Sequence, residues 1–237
     1  DYIQILTGKE KVWVEEHGGI QIGFLNNDPA IFSMDETTGK LTGMLSEYVS
    51  YAKDCLGNQT LKFNIQDYDD YDEMLQALQN HEIDMIFYAG RNPDIAEKKG
   101  YALTNTAWSY NLMAVTDEKN FDEGNVYTVA VPKEKEALKQ QLTFSYPQWN
   151  LVDYDSFEEA AEMITNEKAD CFLMGASQAM VYDNNRDFKS VPLTKTMEAC
   201  FAVKGGEGTL LSILNKTLKG MPSGMLTSAL AIYDSTA

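Results

Sequence analysis

Positive charge is scarce in this chain. Nineteen lysines and arginines stand against 36 aspartates and glutamates in 237 residues, for a net charge of −17. Nucleic acid and anionic membrane surfaces repel such a chain, which argues against both as partners. Histidine is scarcer still, with only His17 and His81. Neither has a histidine, cysteine or carboxylate at metal-ligand spacing. His17 lies beside Gly18-Gly19 at a helix end, and His81 is expected in the last turn of its helix, where a cation suits the dipole. Both read as surface residues.

Three cysteines (Cys55, Cys171, Cys200) cannot all pair and form no CxxC or Cys/His spacing, so they read as small buried apolar side chains, with a Cys171–Cys200 bridge left open. No run of ~18 apolar residues could span a bilayer. No signal peptide is visible, and the abrupt start at Asp1 suggests a piece of something longer. G-x-S-x-G, P-loop and dinucleotide fingerprints are all missing. The glycine-rich "KGGEGT" (204–209) lacks a Lys-Ser/Thr ending and reads as a loop. The run "DYDDYDE" lacks the glycine and spaced ligands of an EF-hand. No catalytic residue, metal or cofactor is expected. Two N-x-T sequons, at Asn58 and Asn215, matter only in a glycosylating host.

Hydrophobic residues, in contrast, make up 44% of the chain, enough for a real core, and the length suits one large domain or two modest lobes. "TGKEKVWVEEHGG" opens with a capping box from Thr7 to Glu10 and should end at Gly18-Gly19, docking through Val12 and Trp13. "IQIGF" (20–24) reads as a strand. In "MLSEYVSYAKDCLG", Leu45, Tyr48, Val49, Ala52 and Leu56 fall on one helical face, with Gly57 as a natural stop. "LKFNIQ" (61–66) alternates like a strand. The order β, α, β implies a parallel sheet flanked by helices.

"DYDDYDEMLQALQNHEIDMIFYA" (67–89) and "DYDSFEEAAEMITNEKADCFLMG" (153–175) align without a gap at an offset of 86. Asp67/Asp153, Tyr68/Tyr154, Asp69/Asp155, Glu73/Glu159, Asn80/Asn166 and Asp84/Asp170 are identical. Any two β/α units share something, but these identities include loop positions that packing does not dictate. Each copy predicts an acidic-start helix (Asp70-x-x-Glu73; Ser156-x-x-Glu159, a capping box), then a buried strand. The expectation is therefore two lobes of similar construction, the second opened by "YTVAVP" (127–132). "YNLMAVT" (110–116) and "EACFAV" (198–203) read as strands passing between them. "GTLLSILNKTLKGM" and a segment at 223–233 read as helices. The expected division is a linker helix (1–19), lobe one (20–113 and 203–237) and lobe two (114–202).

Taken together, "IQIGF…DPAIFSMDETTGKLTG", "YDEMLQALQNHEIDMIFY" and "EKADCFLMG" resemble the family 3 extracytoplasmic solute-binding proteins, over nearly the whole chain from Gly19. "LTGKEKVWVEEHGGIQIG" looks like the linker helix before such domains in membrane sensors that end in histidine kinase or diguanylate cyclase modules, and "LAIYDSTA" resembles the exit from one. The resemblance implies an α/β, two-lobed Venus-flytrap of the type II periplasmic-binding-protein fold, with two hinge strands and a ligand closing the cleft.

Three positions depart from the family's amino-acid binders. A Gly-Thr after the first strand of lobe two is replaced by Glu134-Lys135. An Asp that holds the ligand ammonium is replaced by Gly175. An Arg that forks onto the ligand carboxylate is missing from "PDIAEKK". All three argue against a standard α-amino acid as ligand.

By its place in the pattern, Arg91 is either a relocated anchor for an anionic ligand, since its guanidinium fork suits carboxylate or phosphate, or the partner of Asp94 or another local acid. Further candidates lie at the carboxyl ends of strands: Asn26, Asn27 and Asp28, with Tyr88 and Asn92 flanking Arg91. Trp108 or Tyr110 could stack on a ring or serve as packing. Lys133 and Ser177 are expected near helix N-termini.

The expected function is an extracytoplasmic (periplasmic or cell-surface) solute-binding domain. It would be the sensory input of a membrane-anchored signalling protein, and its partners a small molecule and further domains of the same protein. A free or lipid-anchored binding protein of a transporter and a ligand-free relay are the alternatives.

Overall fold

A computed structural model describes residues 3–57, 61–182 and 187–236, so the Asn58 sequon lies outside the described residues. Helix α1 (Gly8–His17) is set by its caps. The Thr7 side chain accepts from the Glu10 amide, the Glu10 carboxylate accepts from the Thr7 amide, and Gly18 ends the helix at φ 67°. Trp13 and Val14 dock it, whereas Val12 is half exposed, which corrects the expected docking face.

The chain continues through β1 (Ile20–Leu25), the short pair β2 (Ser33–Met34) and β3 (Leu41–Thr42), α2 (Met44–Cys55) and β4 (Phe63–Tyr68). Then come α3 (Tyr71–Gln79), β5 (Met85–Gly90), α4 (Pro93–Lys99), β6 (Tyr101–Tyr110), β7 (Leu112–Thr116), β8 (Thr128–Pro132) and α5 (Glu136–Ser145). Next are β9 (Asn150–Tyr154), α6 (Phe157–Thr165), β10 (Cys171–Gly175), α7 (Ala176–Tyr182) and β11 (Lys189–Pro192). The last elements are β12 (Met197–Lys204), α8 (Gly208–Gly220) and α9 (Met225–Thr236). Among the described residues, no helix is long and apolar enough to cross a membrane.

These elements form two units. One comprises the described residues of Asp1–Ala89, Pro93–Trp108 and Ala199–Ala237; the other comprises Gly90–Asn92 and Ser109–Glu198. The first carries a sheet of order β4-β1-β5-β12-β6, the second a sheet of order β11-β7-β10-β8-β9. In the first, β1 runs parallel to β4 and β5. In the second, β8 runs parallel to β9 and β10, as expected for the strand after the repeat helix, while β7 joins β10 antiparallel, so this sheet is mixed.

Burial follows from alternation. In β10, Cys171 and Leu173 enter one core cluster while Phe172 and Met174 enter another, so the strand is covered on both faces. In the first unit Tyr48, fully buried, packs edge-on against Phe201 at 4.7 Å, and its hydroxyl meets Thr217 at 2.8 Å. On another face of this unit Met74, Leu78, Ile83 and Ile86 form one cluster. All three cysteines are buried as thiols, with no disulfide.

The internal repeat holds down to single hydrogen bonds. Helices α3 and α6 end on Asn80 and Asn166, followed by His81 at φ 60° and Glu167 at φ 59°. Asp84 N–H donates to Gln21 O and Asp170 N–H to Thr128 O, both at 2.8 Å. In return, Gln21 N–H donates to Asp84 Oδ2 and Thr128 N–H to Asp170 Oδ2, both at 2.8 Å. Each aspartate thus clips the strand leaving its helix to a parallel neighbour in its own sheet, β1 in the first unit and β8 in the second.

Two local expectations need correction. His81 sits past the end of α3 in a left-handed turn, with Lys204 Nζ 3.2 Å from its Nε2, so a last-turn dipole role does not apply. The Ser156 hydroxyl caps α6, but the Glu159 carboxylate reaches the Asp155 amide rather than that of Ser156.

Candidate functional site

In the first unit, the sequence candidates cluster where β1, β4 and β5 end. Asn26 leaves β1 with its amide on Tyr68 O at 3.0 Å. Its Nδ2 donates to Asp69 Oδ1 at 2.5 Å and to Asp67 Oδ2 at 3.1 Å. Asn27 is exposed. Asp28 is half-buried, and its Oδ1 accepts the Ala30 amide at 3.0 Å, which fixes its own turn. Tyr88, on β5, meets Trp108 edge-on at 4.6 Å. Trp108 is only 5% exposed and also packs on Phe87 at 5.6 Å, so Tyr88 is the more accessible ring of the pair.

In the second unit, Gly90–Asn92 is fastened to α5. A Cβ on Gly90 would lie 2.0 Å from Ala137 O, so only glycine lets the strand end approach the helix so closely. Arg91 N–H donates to Glu198 O at 3.1 Å and to Gln141 Oε1 at 3.0 Å. Gln141 Oε1 also accepts the Glu198 amide at 3.3 Å. The Arg91 Nε lies 3.7 Å from Glu198 Oε2, with both side chains partly exposed. The acid beside Arg91 is therefore Glu198, far along the chain, rather than Asp94. Asn92, 3% exposed, donates through Nδ2 to Gln140 O at 2.8 Å.

Lys133 occupies in the second unit the place that Asn26 holds in the first. Its amide donates to Tyr154 O at 3.0 Å, just as that of Asn26 donates to Tyr68 O. Its ammonium lies 3.8 Å from Asp155, while Lys139 pairs with Asp153 at 2.5 Å. Asp153 and Asp155 are the repeat counterparts of Asp67 and Asp69. The same acid pair thus meets ammonium groups in one unit and an uncharged amide in the other. Ser177 is exposed in α7, and Tyr110 packs against the core of the second unit.

Sequence reasoning missed Gln141, Glu198 and the Asp67/Asp69 pair as parts of these constellations. The repeated aspartates, identical at loop positions, carried a readable signal. Gln141 carried none, because a polar residue within a helix looks like surface until α5 is seen to bury it.

The backbone also locates the family departures. Glu134 stands at φ 65°, in the left-handed region that favours glycine. Gly175 donates its amide to Gln178 Oε1 at 3.2 Å, and a Cβ there would meet that same oxygen at 3.5 Å, an ordinary contact.

Residues 20–230 match the bacterial extracellular solute-binding proteins, family 3. The chain belongs to this family. It is 23% identical over 238 residues to the virulence sensor protein BvgS of Bordetella pertussis, an alignment that covers 95% of this chain and 18% of that protein. The chain thus spans under a fifth of the curated sensor that it matches. The crystal structure of the Bordetella pertussis BvgS periplasmic VFT2 domain is similar to it with a TM-score of 0.67 at 23% identity, covering 96% of this chain and 98% of that one. The solute receptor for L-cysteine of Neisseria gonorrhoeae gives a TM-score of 0.57 at 20% identity, covering 95% and 96%. The fold is the two-lobed α/β Venus-flytrap of periplasmic binding proteins, as the sequence led one to expect.

Proposed function

We propose that this chain is an extracytoplasmic solute-binding domain acting as the sensory input of a membrane-anchored signalling protein, and that it binds rather than turns over its ligand. The observation that carries the reading is the alignment of nearly the whole chain with part of a virulence sensor protein. A small solute would act by population shift. It stabilises one of two conformations only by its differential affinity for them, and going from 1:99 to 99:1 requires about 5.5 kcal/mol.

The ligand we infer is not a standard α-amino acid. Gly175 supplies no carboxylate for an ammonium, and α4 (Pro93–Lys99) contains no arginine for a carboxylate. Among the candidates, Asn26, Asn27, Tyr88, Arg91, Lys133 and Ser177 have surface to offer a ligand. Asp28, Asn92 and Trp108 hold the loops from which the others project. Arg91 anchors an anionic group if the ligand carries one, in competition with Glu198. The histidines are engaged otherwise: His17 stacks on Trp13 at 3.8 Å and His81 faces Lys204, which leaves neither as an evident acid–base catalyst.

A second reading is a binding protein that delivers solute to a transporter. It draws support from the likeness to a solute receptor over 96% of that chain.

A thermal-shift screen of the purified chain, unfolded and refolded to strip any carried solute, tests the binding claim. The panel comprises organic acids, sugars, polyamines, nucleobases and amino acids. At 100-fold over Kd a ligand adds roughly 2.7 kcal/mol. For a chain of this size that is a rise of about 5–10 °C, at about 2–4 °C per kcal/mol. No shift across the panel would count against solute sensing and favour a ligand-free relay.

A further inference from the structure

Residues 3–17 cross the surface of the first unit and are tied to it by polar groups as well as by apolar burial. The Gln4 amide donates to Cys55 O at 2.8 Å, and Lys216 Nζ donates to Ile5 O at 2.8 Å. Leu6, Trp13 and Val14 are buried, but Ile3, Ile5 and Val12 face outward.

Glu10 is the centre of the attachment. It is 2% exposed, yet every partner around it favours the charged form. Its Oε1 accepts from Lys216 Nζ and, at 2.7 Å, from the Thr7 amide, while its Oε2 accepts from Ser212 Oγ at 2.8 Å. Ser212 and Lys216 stand one turn apart on α8 and form a ready carboxylate receptor. One side chain therefore closes the capping box of α1 and fastens α1 to α8.

We propose that residues 3–17 form a detachable strap, latched by the Glu10 carboxylate on Lys216 and Ser212, that opens and closes while both units stay folded. The latch is self-occupancy. The Glu10 carboxylate of the docked strap meets both Ser212 and Lys216, so the chain's own carboxylate fills this receptor. Undocking hands Lys216 and Ser212 back to solvent.

Hydrogen exchange on the full chain tests this, using Glu10→Gln, Lys216→Met and the double variant. Glutamine still offers an oxygen to the Thr7 amide, so Glu10→Gln keeps the capping box while removing the charge and the acceptor that faces Ser212. Each single variant is expected to speed exchange across 11–17 by about tenfold or more, with β1, β5 and β12 unchanged. The double variant should be less than additive, because both singles remove the same ion pair. Unchanged exchange in α1 would overturn the latch. So would acceleration spread equally through the strands, or additive effects in the double variant.

Discussion

Gln141 and Arg91 are joined by a bond that the sequence gives no reason to expect: the Gln141 side-chain oxygen accepts the Arg91 backbone amide at 3.0 Å, from α5, with Gln141 only 3% exposed. The same oxygen holds the Glu198 amide at 3.3 Å, so one glutamine fixes the backbone on both sides of the Arg91–Glu198 pair. Gln141→Leu removes this shared acceptor, while the Arg91 amide keeps its bond to Glu198 O, and is expected to cost about 1–3 kcal/mol in urea denaturation. Gly90→Ala should cost at least as much, because its Cβ would lie 2.0 Å from the Ala137 carbonyl, where neither backbone can yield cheaply. Arg91→Ala should cost only about 0–1 kcal/mol, as its ion pair is partly exposed.

Asp84 and Asp170 make the same hydrogen bond in two different units. Asp84→Ala and Asp170→Ala are each expected to lose about 1–3 kcal/mol by releasing the amides of Gln21 and Thr128. Exchange at those two amides reads the effect directly, and each variant should expose the amide in its own unit only.

Glu10 makes the strap pH-dependent. Burial alone would raise its carboxyl, but Lys216, the Thr7 amide and hydroxyl, and Ser212 together take it from 4.5 down to about 2. A carboxyl held lower in the folded state stabilises that state above its unfolded value and loses this contribution as pH falls. The difference in α1 protection between wild type and Glu10→Gln should therefore be full above pH 4.5 and shrink toward pH 2.

Gly175→Asp restores the acidic residue that amino-acid binders of the family carry at this place. The site has room for a Cβ, whose nearest neighbour would be Gln178 Oε1 at 3.5 Å. The variant should fold with stability within about 0.5 kcal/mol of wild type, as measured by denaturation. Gain of affinity for an α-amino acid, measured by calorimetry, is the expected functional result.

Much of the fold was legible because it rests on local rules. The Thr7–Glu10 box, the stop at Gly57 and the repeat of 67–89 at 153–175 are written in neighbouring residues, and the structure reproduces each. What stayed hidden depends on contacts distant in sequence. The strand read at 110–116 is present as β7 (Leu112–Thr116), but β6 (Tyr101–Tyr110), which ends one residue before Asn111 and belongs to the other sheet, was not read. Val12 was chosen over Val14 because so short a helix barely distinguishes two faces. The partner of Arg91 was sought locally and lies at Glu198. For the proposed site, the sequence names candidate loops, but not which of their side chains are exposed and which are buried. Asn92 and Trp108 look like ligand contacts in sequence and are buried in the fold.

The most direct test of the account is amide hydrogen exchange of the ligand-stripped chain, with and without the solute that gives the largest thermal shift. Binding should slow exchange at 26–28, 88–92 and around 133 and 177, the loops that carry the candidate residues. Protection confined to other regions, or none despite saturation, would contradict the proposed site and with it the reading of this chain as a solute sensor.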